Sequence, residues 1–339
     1  MISLSIIWFL LIGILFAVYS ILDGYDFGAG MLFFRAKNEN EKRLIINSIA
    51  PVWDGNEVWL VTAGGALFAA FPEAYATIFS AFYEAFVIFL FVLILRATSI
   101  EFRSKVENAK WKIIWEKSFM ISSYLAPLLL GIAFGNVLWG LQLDSTHEYR
   151  GTFIGLLGPF PLMVGLTTVA LFYCHGALYL SFKTSEELRD RILRCVRGSS
   201  FAFAIFFVFL SVSVFFANQR MLRNYSEYSW LYIVPVVTVS SLAALLFASF
   251  KGKYILAISA SSILIIGMIA LGGISLFPEI VPALPESSNS LTIFFAASSK
   301  RTLEIMLWIA GAGIPLVVIY TYYVHRIFRG VVKIDETSY

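Results

Sequence analysis

Four carboxylates and one repeated interval carry the chemical interest of this chain. Asp23 and Asp26 lie three residues apart, and Asp54 and Glu57 repeat that spacing. An i, i+3 interval brings two side chains to one face of a helix. All four lie in or beside strongly apolar segments, where no water is available to solvate an anion. An acid in such a place is neutralised, hydrogen-bonded to a partner, or part of an ion route. Two readings fit the set. In one, carboxyls in a partly dry environment accept and release protons near neutral pH. In the other, Asp54 is a helix-terminus anion, with Pro51 at an early helical position, and Asp23 or Asp26 is a turn residue closing the first connection. Physics alone leaves both open.

The remaining reactive residues are few. A membrane haem protein needs axial ligands at matched depth on facing helices, and there are three histidines, His147, His175 and His325, of which only His175 falls well inside an apolar stretch. No haem ligand is assigned to this chain, and His175 reads as a hydrogen-bonded packing residue. Cys174 and Cys195 are too few for a zinc site or a disulfide framework and read as free thiols, so no metal site is expected. Trp53, Trp59 and Trp139 read as interface and packing aromatics.

The elements that must position these residues follow from composition. Hydrophobic residues make up 59% of 339 and charged ones 14%, and the mean hydropathy is +0.80. This is an all-α integral membrane protein. Nine stretches have the roughly 20 residues that a helix needs to span hydrocarbon: 2–22, 52–71, 76–95, 119–139, 159–182, 201–217, 230–250, 254–277 and 303–323. Lys and Arg accumulate in short cytoplasmic loops, and all of them are placed in loops or tails. Of the 25, 20 follow the odd-numbered stretches, so the N-terminus is expected outside and the C-terminus in the cytoplasm. The first stretch has no basic start and is expected to remain in the mature protein. The net charge of +3 is accounted for by topology and anionic lipid, and nucleic acid binding is not indicated. No connection is long enough to bury a core of its own, and residues 278–302 read as an irregular external loop. The chain is therefore taken as one transmembrane domain, 1–339. A faint echo between 131–139 and 267–274 suggests pseudo-repeat halves, roughly 1–140 and 150–280, as two four-helix bundles with a peripheral last helix at 303–328.

Several segments also carry a resemblance. Asp23-Gly24-Tyr25-Asp26-Phe27-Gly28, Asn47-Ser48-Ile49-Ala50-Pro51, Trp53-Asp54-Gly55-Asn56-Glu57-Val58-Trp59-Leu60 and 62–72 are similar to subunit II of the cytochrome bd ubiquinol oxidase family. The likeness continues through Leu95-Arg96, Glu101-Phe102-Arg103-Ser104-Lys105, Trp111 and Gly131-Ile132-Ala133-Phe134-Gly135-Asn136, and more loosely to the C-terminus. Short connections and Cys174-His175-Gly176-Ala177 lean toward the cyanide-insensitive branch.

The resemblance implies a nine-helix, non-haem subunit of a terminal quinol oxidase in the bacterial inner membrane. Its partner would be a subunit I that holds two b-type haems and one haem d and oxidises ubiquinol or another quinol. A small accessory membrane subunit, lipid and quinone are further companions. It also implies that Asp54 lies on a cytoplasmic proton route near the subunit interface, with Asp26 and Asp23 in the same polar region and Glu57 in support. Trp53, Trp59, Asn56 and Arg96 would serve the interface or its packing. Glu84 departs from the family pattern. Placed mid-span in the third stretch, its charge would cost at least ~2.5 to 3.5 kcal/mol on insertion scales, so it is expected to be protonated or to face a partner or a lipid-excluded cavity. A secondary transporter with a carboxylate-lined path is the alternative, and a pure scaffold is a third reading.

Overall fold

Hydrocarbon cannot satisfy backbone N–H and C=O groups, so apolar stretches of this length must close their own hydrogen bonds as helices. The computed structural model describes residues 3–334; position 2, where the first stretch is expected to begin, lies outside them. The described residues are mainly helical: α1 Leu4–Met31, α2 Glu39–Ile49, α3 Trp53–Ala70, α4 Pro72–Ala81, α5 Tyr83–Phe102, α6 Ala109–Trp139, α7 Pro159–Lys183, α8 Glu186–Ala217, α9 Arg223–Glu227, α10 Ile233–Lys251, α11 Tyr254–Leu276 and α12 Lys300–Ile327. Among the described residues, eight helical segments are long and apolar enough to cross a membrane. The second expected stretch is the 18-residue α3, whose first turns carry Asp54, Asn56 and Glu57, and it is not among the eight.

Three boundaries differ from expectation. The first helix does not end near Leu22 but runs on to Met31, eight residues past Asp23, or ~12 Å at 1.5 Å per residue. Asp23 and Asp26 are therefore interior helical residues, not a turn. The glycines here do not stop the helix; they are where a second helix touches it. A Cβ on Gly28 would lie 2.6 Å from the Gly176 Cα, and one on Gly30 would meet the Ser123 side chain. Small residues allow this close approach between membrane helices.

Pro51 lies in the turn between α2 and α3, ahead of the helix that it was expected to open. The third expected stretch is divided. Pro72 opens α4, and the buried Phe82, at φ −103° and ψ 19°, separates it from α5. Glu84 therefore sits in the first turn of α5, exposed and not mid-span. Its charge acts on the Tyr149 phenol, in the loop after α6, so it belongs to the end of the molecule where the helix-connecting loops are ordered.

At that end the connections are not wholly irregular. β1 (Leu141–Gln142) pairs in parallel with β3 (Ala283–Leu284), and β2 (Glu279–Val281) pairs antiparallel with β4 (Leu291–Thr292). Asp144 is clamped by Thr146 and Arg150, whose hydrogen bonds hold its carboxyl below the usual range.

α7 is the central helix: it packs on α1, α6, α8 and α11, and its residues Cys174 to Ser181 are all buried. α1 is buried without interruption from Asp23 to Met31. The two cross at Gly28 and Gly176. α12 is the opposite case. Only Leu303 of its residues is buried.

The basic residues are not confined to loops. Arg96 lies inside α5 and is fully buried, and Arg103, at the end of the same helix, is 1% exposed. Arg103 binds Glu39 at 2.8 Å and Glu116 at 2.8 Å, and Lys42 binds Glu116 at 2.8 Å. This network ties α2 to the α5–α6 turn. Burial opposes ionisation of Glu39, but the Arg103 hydrogen bonds outweigh it and hold the carboxyl below its usual value.

Candidate functional site

Arg96 organises the site. Its guanidinium lies 4.2 Å from the Phe27 ring centroid, with Nη2 donating to Asp23 Oδ1 at 2.8 Å and Nη1 to Glu57 Oε1 at 2.7 Å. A planar fork can serve two carboxylates from two helices at once, which an ammonium cannot do in the same geometry. Three elements thus converge: α5 brings the cation, α1 brings Asp23, and α3 brings Glu57. The i, i+3 spacing on α1 then places Asp26 beside the pair. Asp26 is fully buried, and its Oδ2 accepts from Asn56 Nδ2 at 2.7 Å. Among the described residues its other oxygen has no hydrogen-bond partner, and neither do Arg96 Nε or the buried Trp59 indole N–H.

Asn56 extends the centre. Its amide nitrogen also lies 2.9 Å from the Tyr25 hydroxyl, which lies 2.7 Å from His325 Nε2. The Tyr25 ring stacks on Tyr179 with centroids 4.0 Å apart, and the Tyr179 hydroxyl donates to the Ser48 carbonyl at 2.7 Å. Two adjacent networks thus lie at one end of the bundle, one joining α1, α3 and α5 through Arg96 and the other joining α1, α2, α3, α7 and α12 through Asn56 and Tyr25.

The four expected acids do not all converge. Asp23, Asp26 and Glu57 meet around Arg96, whereas Asp54 stands apart on the exposed outer side of α3, close enough to act on Glu57 through space but with no hydrogen bond or ion pair to the described residues. The i, i+3 interval places Asp54 and Glu57 near one another along α3, but packing selects which of them faces α1 and α5. Trp59 and Asn56 are buried and Trp53 half-buried. Glu84 lies at the opposite end of α5 from Arg96 and takes no part.

Arg96 was expected only as an interface or packing residue, and Tyr25 and His325 were not singled out for the site. A signal existed for Arg96: a lone cation at the end of an apolar run demands an anionic partner at the same depth. Tyr25 and His325 are 300 residues apart, and nothing local connects them.

The chain's histidines are engaged in hydrogen bonds. His175 is 1% exposed, with Nε2 3.1 Å from the Ile21 carbonyl and Nδ1 2.8 Å from Ser261 Oγ, and so links α7 to α1 and α11 as a packing residue. Both ring nitrogens of His325 are bonded, and His147 Nδ1 is 2.9 Å from the Asn289 carbonyl in the loop region. Among the described residues no group of three or more His, Cys, Asp or Glu is placed to hold a metal ion. The residues present do not fit an axial haem site.

Fold and site together define a polytopic membrane protein with a buried carboxylate–guanidinium centre at one end of a helical bundle. The chain belongs to the family of cytochrome bd terminal oxidase subunit II, whose sequence profile matches residues 4–328. It is 34% identical over 364 aligned positions to the cytochrome bd-I ubiquinol oxidase subunit 2 of Escherichia coli, covering 98% of this chain and 96% of that one. The cytochrome bd ubiquinol oxidase subunit 2 of Bacillus subtilis is 32% identical over 332 positions, covering 96% and 97%. A chain from the structure of bd oxidase from Geobacillus thermodenitrificans superposes with a TM-score of 0.80 at 17% identity, covering 96% of this chain and 99% of that one. The fold is shared with that protein. Membership sets aside the transporter reading and places the chain in the bacterial inner membrane as a multi-pass protein.

Proposed function

We propose that this chain is the non-haem subunit of a quinol:oxygen oxidoreductase and that its acid centre serves proton delivery. As a subunit II it works with a subunit I, which would carry two b-type haems and one haem d and oxidise the quinol. Oxygen reduction to water consumes protons, and haem on the partner supplies that chemistry. What this chain contributes is a place to hold protons at depth.

The observation that carries the reading is the stoichiometry of the site. One guanidinium is shared by Asp23 and Glu57, with Asp26 alongside. A single cation can neutralise only one of three carboxylates, so the centre has a capacity for protons that an ordinary structural ion pair lacks. Asp54, exposed on the outer side of α3, is then the acid that faces the partner subunit, with Glu57 one turn behind it. The charge distribution along the sequence supports a cytoplasmic location for this end, with the N-terminus outside.

The test is Asp54→Asn and Asp26→Asn in the assembled oxidase. Each keeps shape and removes a titratable proton. A positioned acid–base group is typically worth roughly 10²- to 10⁴-fold, and turnover at saturating quinol is expected to fall by at least about tenfold, with haem content unchanged. Oxygen consumption and charge uptake equal to wild type in both variants would defeat the proton assignment while leaving family membership untouched.

A further inference from the structure

The nearly unburied helix α12 reaches the acid centre through one side chain. His325 Nδ1 lies 2.8 Å from the Thr321 carbonyl, which can only accept, so Nδ1 carries the ring hydrogen. Nε2 of the neutral ring is then an acceptor, and the Tyr25 hydroxyl 2.7 Å away donates to it. The Asn56 amide nitrogen can only donate, and it gives hydrogens to the Tyr25 oxygen and to Asp26 Oδ2. The polarity of the chain is thus fixed: Asn56 donates at both ends and Tyr25 passes its hydrogen outward to His325. Asp26 Oδ1 is left buried and without a donor among the described residues.

A protonated His325 reverses this. Its Nε2 has no lone pair, so the phenolic oxygen must accept from both His325 and Asn56, and the phenolic hydrogen must turn away from the imidazole. We propose that His325 is a positioning residue for the acid centre, its uptake of one proton at Nε2 reversing the His325–Tyr25 hydrogen bond and so changing the charge and hydrogen-bond polarity at the Tyr25 hydroxyl, which shares the Asn56 amide with Asp26. No other bond forms or breaks, and the proton comes from outside the protein, the ring being only half-buried. Imidazole is the side chain that ordinarily changes charge between about pH 5 and 8.

Burial of the ring opposes an imidazolium, as does Lys183 from α7, the Thr321 carbonyl favours one, and Tyr179 lies beneath Tyr25. From α1 and α3, the carboxyls of Asp23, Asp26 and Glu57 stand behind Tyr25 and Asn56, and the C-terminal end of α12 itself favours an imidazolium. Arg326, the next residue on α12, and Arg329 beyond its end add positive charge. The geometry is held from outside the network: Lys183 donates to the Phe328 carbonyl, and the Val332 N–H donates to the Lys183 carbonyl at 2.9 Å. Closing this end of α12 onto α7 keeps His325 over Tyr25.

The inference rests on the proton-delivery reading, and the experiment separates the two. Oxygen consumption by the assembled oxidase is measured from about pH 5.5 to about pH 8.5 for wild type, His325→Gln, Tyr25→Phe, the double variant and Asp26→Asn, with haem content recorded for each. Gln cannot take up a proton, and Phe keeps the ring stacked on Tyr179 without the hydroxyl. Both single variants are expected to change the ratio of turnover at about pH 6 to that at about pH 8 by about twofold or more, and the double variant is expected to add little. A slowed Asp26→Asn enzyme alongside His325→Gln and Tyr25→Phe profiles that superpose on wild type would overturn the role of His325 alone. An unimpaired Asp26→Asn enzyme would overturn the role of His325 together with the part of Asp26 in proton delivery, and the Asp54→Asn variant then decides the proton-delivery reading itself. Should His325→Gln fail to assemble, Tyr25→Phe decides by the same criterion.

Discussion

Replacing Arg96 by Met is expected to prevent accumulation of the assembled complex. The guanidinium and the Asp23 carboxyl are both fully buried, and the contacts to Asp23 and Glu57 are 2.8 and 2.7 Å. Removing one partner of a buried ion pair typically costs about 3–5 kcal/mol because the other is left uncompensated. Here two carboxyls lose the cation at once, and Asp26 stands beside them. Against a typical total stability of about 5–15 kcal/mol, that loss is large. Arg96→Lys should be intermediate, since an ammonium keeps the charge but cannot fork to Asp23 and Glu57 together. Pairing Arg96→Met with Asp23→Asn should restore part of the yield, because an uncompensated anion is removed with its cation. Yield of haem-containing complex per membrane protein is the measurement. A single Arg96→Met variant that accumulates and melts like wild type would show that the carboxyls never depended on the guanidinium.

The second large effect is expected at the α1–α7 crossing. A Cβ on Gly28 would lie 2.3 Å from the Phe172 carbonyl oxygen and 2.6 Å from the Gly176 Cα, and one on Gly176 would lie 2.4 Å from the Gly28 Cα. Backbone meets backbone there, so no side-chain rotation can relieve the clash. Ordinary core overpacking costs about 1–3 kcal/mol; Gly28→Val and Gly176→Val should each exceed that range, because two helices must separate. The separation would also pull Tyr25 off the Tyr179 ring on which it stacks. A lowered thermal midpoint and lost oxidase activity are expected together. Gly13→Ala on the same helix is the control: nothing lies within 4 Å of its added methyl, and a wild-type midpoint is expected. Equal tolerance at Gly13 and Gly28 would mean that the crossing is looser than described.

The origin of the site explains how much of it was legible. The acids were found because a carboxylate in an apolar run is conspicuous wherever the run folds. Three of the four met, and their common element, Arg96, was visible in the sequence but placed in a loop. Glu84 was conspicuous for the same reason, yet it belongs to the first turn of a helix that begins after the Phe82 break. Hydropathy averages over a window and does not register a one-residue change of direction.

The sequence by itself determined the solvent, the helical backbone and the family. Each of these is a local property: apolar length forces internal hydrogen bonding, and motif residues are read in order. Only the tertiary structure decided that α1 continues past Asp23, that Asp54 turns outward while Glu57 turns in, and that His325 closes on Tyr25 300 residues away. Those outcomes depend on how far each helix rotates about its axis before backbones touch at Gly28 and Gly176. That rotation is fixed by contacts between distant segments.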